Sequence, residues 1–298
     1  MNRTRIAPSD CECVLRVAAT CGESPIWSVR EQALYWTDNL GGVIHRLKPE
    51  NGEDQSFLLG QNVMCIGLRD RGGLVLALAK QLAFYQPGGE LELVMAVEDD
   101  NPLNRFNDAK VDRRGRLWAG TMNDIEWDAP SGSLYRIDPS LELSRRVDEV
   151  VCANGLGWSP DGSTFYFGES FRYAIFAYDF DSDSGVVSAR RVFATVDRSS
   201  GAFPDGLTVD AEGGVWSVHN GVGRIVRYAP DGEVTHEIEM PVPQPTSCIF
   251  GGRDMDVLFV TTSRQKMTPE QLARYPLSGS VFALRPGVSG VPEPLFTG

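Results

Sequence analysis

Hydrophobic and polar positions along the chain alternate in short runs of four to eight residues, the period of strands half-buried on one face. Six pairs of such runs recur with the same internal order: ALYWTDNLGGVIHRLKP, GLVLALAKQLAFYQP, GRLWAGTM with GSLYRIDP, TFYFGESFRYAIFAYDF, GVWSVHNGVGRIVRYAP, and VLFVTTS with GSVFALRP. Each opens on a β-branched or aromatic run, passes a polar turn and returns as an alternating strand that ends in a turn signal. With Trp36, Leu76, Trp118, Phe167, Trp216 and Val260 taken as equivalent, the steps are 40, 42, 49, 49 and 44 residues. That spacing is the length of a four-stranded propeller blade.

A further short strand and a tight turn precede several of these pairs, as in AKVDRRGRLW, LGWSPDGSTFYF and LTVDAEGGVW. Asp-Gly at 161–162 and 231–232 marks turns that need positive φ. Asp112, Asp161, Asp210 and Asp231 are therefore read as turn residues rather than catalytic acids. One helix is predicted, in MTPEQLARYP, where Thr268 caps, Pro269 opens the first turn, Gln271 completes a capping box and Pro276 stops it. The expectation is an all-β, six-bladed β-propeller over residues 1–298 as one domain. Residues near 14–18 are expected to pair into the last blade, because an open ring would leave sheet edges exposed.

Composition narrows the class. Hydrophobic residues make up 42% of the 298, enough for a packed core, and 31 glycines suit a fold of many tight turns. The net charge of −12 opposes binding to nucleic-acid phosphates. No apolar run reaches the length of a membrane span, and the first ten residues lack a signal-peptide core, so a cytoplasmic protein is expected, monomeric or a weak homo-oligomer. Cys11, Cys13, Cys21, Cys65, Cys152 and Cys248 are scattered without metal-finger spacing and are read as reduced thiols. His45 and His236 fall in outer strands and are read as surface residues, and His219 as a polar group able to face the pocket.

A propeller packs its first strands around a central channel. About 11 to 13 residues before the anchors stand Glu23, Asn107, Asn154 and Asp205, with Met64 and Cys248 at the same phase in the second and sixth repeats. Four oxygen-bearing side chains thus converge at one height on the axis. Two carboxylates meeting there would repel unless a cation lies between them. Carboxylate and amide oxygens are hard donors, suited to Ca²⁺, Mg²⁺ or Mn²⁺ and usable by Zn²⁺ or Fe²⁺.

The segments CGESPIW (21–27), NRFNDAKVD (104–112), WAGTM (118–122), NGLGWSPDG (154–162), PDGLTVDAEGGVW (204–216) and TSCIFGG (246–252) resemble the senescence marker protein/gluconolactonase/regucalcin family. The similarity runs from about residue 11 to the C-terminus in the same order. The resemblance implies a six-bladed propeller with one divalent metal cation and, for many members, sugar lactonase activity. It implies Glu23, Asn154 and Asp205 as metal ligands, and Arg105 and Asn107 as substrate contacts. Family members often place an acid shortly after Gly-Thr-Met to bind sugar hydroxyls. Here the run is Asn123, Asp124, Ile125, Glu126, and Glu126 is assigned that contact with Asp124 as the other register. Where the family often has aromatic-x-Asp-Ser, this chain has Phe167, Gly168, Glu169, Ser170, and the longer acid is expected to reshape the pocket wall.

Together these readings point to metal-dependent hydrolysis of a small-molecule sugar lactone, with Asp205 as the base toward water. The other readings are a non-catalytic calcium-binding regulator, a propeller hydrolase acting on phosphotriesters or aryl esters, and an interaction scaffold. A serine hydrolase is disfavoured, since no G-x-S-x-G elbow occurs.

Overall fold

The computed structural model describes residues 3–298 and forms six antiparallel sheets of four strands, one of them extended by a fifth, arranged as a ring. The first strands of blades one to six are Gly22–Ser28, Val63–Leu68, Asn104–Val111, Ala153–Trp158, Phe203–Val209 and Pro245–Gly251. Each packs beside the first strand of the next blade, and the sixth returns to the first, so these six strands surround the axis. The six anchors read from the sequence all lie in second strands, and all are fully buried. The reason for the repeat is physical: a single blade has two apolar faces, and only a neighbour on each side covers them. Ile26, Tyr35 and Ile44 of blade one pack on Val63, Leu76 and Ala83 of blade two. Trp118 and Leu134 of blade three pack on Phe165, Phe167 and Phe176 of blade four.

Ring closure comes from the N-terminal segment, as expected, but the pairing strand, Glu12–Leu15, lies earlier than the expected 14–18 and shares only Val14 and Leu15 with it. It runs antiparallel to Val281–Leu284, matching Glu12 with Ala283 and Cys13 with Phe282. A feature not read from the sequence is the strand Thr4–Ile6, which adds in parallel to Val234–Glu239 as a fifth strand of blade five. The helix Pro269–Arg274 forms with the capping box foreseen for Thr268 and Gln271. After the last strand the chain crosses the face carrying the turns between first and second strands. Gly290 bridges to Asp210, Phe296 bridges to Arg69, and Glu293 pairs with Lys110 at 3.3 Å.

The aspartates assigned to turns hold turns. Asp112 accepts from the N–H groups of Arg114 and Arg116, from Arg116 Nε at 2.6 Å and from Trp118 Nε1 at 2.8 Å. Asp210 does the same for Glu212 and Gly214, for Arg227 Nε at 2.6 Å and for Trp216 Nε1 at 2.8 Å. Each carboxylate thereby locks a turn to the tryptophan that anchors its blade. The histidine readings need correction. His45 is half-buried, stacked at 4.0 Å on Trp36, with Nδ1 2.8 Å from Asp54. His236 is half-buried against Trp216. His219 is buried beside Tyr228 rather than lining the channel mouth, and burial lowers its pKa to about 4. Both outer-strand imidazoles pack on the indoles, so an outer-strand position did not mean a surface one.

Replacing Asp210 with Asn should leave buried Arg227 with only the exposed Glu212 as carboxylate partner and cost about 3 kcal/mol, the lower end of the range for a broken buried ion pair. Urea unfolding measures it. A loss below about 1 kcal/mol would show that the turn does not depend on this charge.

Candidate functional site

Every first strand carries one residue more than the second strand it pairs with, and the excess falls at the same height in all six blades. Ser24-Pro25, Met64, Asn107, Gly155, Asp205-Gly206 and Thr246 sit between the paired positions. A bulge turns a side chain that would lie in the sheet face toward the axis. The backbone there is demanding: Gly155 has φ +54, and a Cβ on Gly206 would lie 2.1 Å from Ser247 Oγ.

The bulges open into a cavity of about 230 Å³ at the end of the channel remote from the C-terminal segment. Glu23, Asn154, Asp205, Arg105 and Asn107 all line it, together with Met64. Two expectations are corrected. Cys248 stays in the core, and Thr246 lines the cavity for blade six. Glu126 is not among the lining residues; its side chain is exposed, and its N–H donates to Asn123 Oδ1 in the turn. The loop instead offers Trp127 to the cavity, with Phe171 and Phe203 beside it, while Ile125 is 74% exposed. Glu169 is not among the lining residues either. It is held away from the cavity by Arg172 at 2.9 Å and Arg190 at 3.1 Å, and its neighbour Ser170 lines the site. A larger cleft of about 380 Å³ between blades four and five, lined by Asp161, Arg191 and Glu212, lies on the opposite face and holds no buried ionisable cluster.

Hydrogen bonds orient the lining side chains. Arg105 donates through Nε to Asp124 Oδ1 at 2.5 Å, and through Nη1 to Asn107 Oδ1 at 2.7 Å and to the Phe106 carbonyl at 2.9 Å. Asn107 Nδ2 donates to the Ala153 carbonyl at 2.7 Å. Asn154 Nδ2 donates to Ser170 Oγ at 3.0 Å, which donates to the Pro204 carbonyl. Asn220 Nδ2 donates to Asp205 Oδ2 at 2.8 Å. Both Asn154 and Asp205 are buried.

Residues 21–264 match the family model described as SMP-30/Gluconolactonase/LRE-like region. The chain belongs to that family. It is 40% identical to the 6-deoxy-6-sulfogluconolactonase of Pseudomonas putida, over 96% of this chain and 98% of that one. It is 35% identical to regucalcin of Oryctolagus cuniculus over the same shares. Its structure superposes on a calcium-binding protein, regucalcin, from Agrobacterium tumefaciens with a TM-score of 0.91 and 26% identity, covering 99% of both chains.

The axis is an electrostatic problem. Glu23, Asp205 and, one step deeper, Asp108 gather at the axis, and none has an ion-pair partner among the described residues. Burial, and then repulsion by Asp205 and Asp108, pushes the Glu23 carboxyl well above its ordinary range. Burial chiefly raises Asp205 to about 7, with Asp108 adding to it and the Asn220 hydrogen bond opposing it. Burial raises Asp108 as well, although it accepts from the N–H groups of Ala109 and Gly155. Asp108, Asn220 and Ser170 were missed from the sequence. Asp108 lies next to Asn107 in RFND, but consecutive strand positions face opposite ways, and only the bulge brings both toward the axis.

A carboxyl held neutral by burial loses stability as pH climbs from its unfolded pKa to its folded one. For Asp205 that window runs from about 4 to about 7. In chelator, wild type should therefore lose stability across this window relative to Asp205→Asn, which has no such charge to bury. Saturating divalent cation should reverse the order above pH of about 7. Urea midpoints at several pH values decide it, and equal slopes for the two proteins would remove this electrostatic account.

Proposed function

We propose that this protein is a sugar lactonase that hydrolyses a five- or six-carbon aldonolactone to the aldonic acid, using one divalent cation. The observation that carries the reading is the meeting of Glu23, Asn154 and Asp205, unneutralised, with Arg105 and Asn107 in one cavity. The 40% identity to a lactonase over nearly the whole chain supports it.

The residues present fit a hard divalent cation. Two carboxylates and an amide oxygen converge with no ion-pair partner for either carboxylate among the described residues, and the donor set holds no imidazole and no thiolate. Glu23, Asn154 and Asp205 would be the ligands, whether the ion is calcium, zinc, magnesium, manganese or iron(II). Bound there, such a cation would polarise the lactone carbonyl and favour ionisation of the attacking water. The chain's own groups supply the rest. Asp205, held at one oxygen by Asn220, accepts the proton of the attacking water and returns it to the ring oxygen as the carbonyl carbon–ring oxygen bond breaks, which yields the hydroxy acid. Arg105 is fixed by three hydrogen bonds through Nε and Nη1, which leaves Nη2 for substrate hydroxyls and then for the product carboxylate. Asn107, held by Ala153 and Arg105, is the second substrate contact.

The lining selects the substrate class. Polar residues outnumber apolar ones in the lining, and those with unpartnered atoms, such as Arg105 Nη2, Asn39 Oδ1 and Gln244 Oε1, would be left unsatisfied by an acyl chain at about 1–3 kcal/mol each. Trp127, Phe171 and Phe203 form an aromatic run on one side, suited to the apolar face of a sugar ring.

Measured on the metal-loaded protein, kcat/KM should be highest on an aldonolactone among glucono-, galactono-, xylono- and arabinonolactone, a homoserine lactone and an aryl phosphotriester. A best value for either of the last two, or no turnover of any, would overturn the reading, the latter in favour of a calcium-binding protein. Chelation should abolish activity, and Asp205→Ala and Glu23→Gln should each lower kcat/KM by at least about 100-fold. Arg105→Lys should raise KM with the melting temperature little changed, because lysine lacks the planar fork. A lower melting temperature with unaltered KM would make Arg105 a structural residue.

A further inference from the structure

Four charged side chains line the cavity: Glu23, Asp205, Arg105 and Lys266. The first two face the proposed cation, and Arg105 is spoken for by Asp124 at 2.5 Å. Lys266 has no carboxylate within ion-pair distance among the described residues, although the chain carries 40 Asp and Glu. Its ammonium lies 3.5 Å from the centroid of the Trp127 ring. Trp127 belongs to the loop after the second strand of blade three and Lys266 to the loop after the second strand of blade six. In a ring of six these blades are opposite, so the contact bridges the mouth.

Both ends of that bridge are fixed. The Trp127 Nε1–H donates to the Asp124 carbonyl at 3.1 Å, and the indole stacks on Phe171 at 6.0 Å. Lys266 holds a left-handed backbone, φ +59, within a turn tied on both sides. Arg264 N–H donates to the Thr20 carbonyl, Gln265 N–H to Ser263 Oγ and Met267 N–H to the Arg264 carbonyl. A non-glycine residue keeps such a conformation only where its surroundings impose it. The residue itself is exposed, and its ammonium is placed at the rim by its contact with the Trp127 ring. Its neighbours Gln265 and Gln244 add neutral amide donors to the lining.

The lactone carbonyl must reach the axial carboxylates, so the substrate carbon farthest from it lies toward the rim. A divalent cation balancing Glu23 and Asp205, with Arg105 paired to Asp124, leaves Lys266 as the unpaired charge of the described lining inside a protein of net charge −12. We propose that Lys266 is a specificity-determining residue that binds a tetrahedral anionic group, a sulfonate or a phosphate ester, on the terminal carbon of the aldonolactone. A lysine on a rigid aromatic platform suits this group, since a point charge accepts any rotation of a three-oxygen anion. The inference rests on the lactonase reading and narrows its substrate.

The test uses the full-length, metal-loaded protein with gluconolactone and its 6-sulfo and 6-phospho forms. The ratio of kcat/KM for each anionic lactone to that for gluconolactone is the quantity read. Wild type should favour the anionic lactones by at least about tenfold. Lys266→Ala should remove most of that preference through KM, Lys266→Glu should invert it, and Lys266→Arg should keep most of it. Raising ionic strength from about 0.02 to 0.5 M should shrink the preference in wild type and not in Lys266→Ala. The better of the two anionic lactones identifies the source of the anion. The same ratio in wild type and Lys266→Ala, or no preference in wild type, overturns the proposal even if gluconolactone is hydrolysed well. Calorimetric binding of the product acids, with and without the terminal anion, gives a readout free of turnover. A Lys266-dependent preference there, in a protein that hydrolyses none of the lactones, would sustain this assignment and sink the lactonase reading instead.

Discussion

One extra residue in each inner strand shapes the rest of this molecule. Six strands packed around an axis would, if regular, fill the channel with alternating side chains or close it. The bulge at a common height does neither: it breaks the ladder for one pair, and at or beside it a polar residue lines the cavity in five of the six blades. The sixth case, Met64, turns a thioether there. Breaking a ladder leaves backbone groups to be satisfied, and side chains take that work. Asp108 accepts from the Gly155 N–H of the next blade at 2.7 Å, and Asn107 donates to the Ala153 carbonyl. Ser24 Oγ accepts from the Ile66 N–H at 2.9 Å. The bulges of neighbouring blades are therefore stitched together by the residues they expose.

Stability and function pull in opposite directions at this height. Three carboxyl groups without an ion pair are gathered where solvent is scarce, and burial raises all three pKa values. Elsewhere the buried carboxylates of the described residues face cations, as with Asp112 and Arg116, Asp210 and Arg227, and Glu169 with Arg172 and Arg190. The contrast marks the axis as the place where the fold tolerates an electrostatic cost, offset by the interblade packing of fully buried Trp36, Trp118 and Trp216. The rim obeys other rules. Its groups come from loops after second strands, where length and composition vary without disturbing the blades.

The repeat was legible in the sequence because burial on both faces of each blade forces a fixed spacing of large apolar residues. Reading Trp36, Leu76, Trp118, Phe167, Trp216 and Val260 as one position located the second strand of every blade. Counting back from them located Glu23, Asn107, Asn154 and Asp205, since a bulge that recurs in every blade preserves phase. Turn aspartates and the capped helix were legible for local reasons, a hydrogen bond within a few residues of chain. What the tertiary structure alone decided depends on separations that sequence order does not encode. Cys248 shares the phase of the lining residues, yet the bulge in its strand falls on Thr246 and leaves the thiol in the core. Glu126 and Trp127 are adjacent in one loop, and only the loop's path puts the indole over the cavity and the acid in water. Lys266 meets Trp127 across the mouth from the opposite blade, a contact between residues 139 positions apart in the chain that only closure of the ring creates.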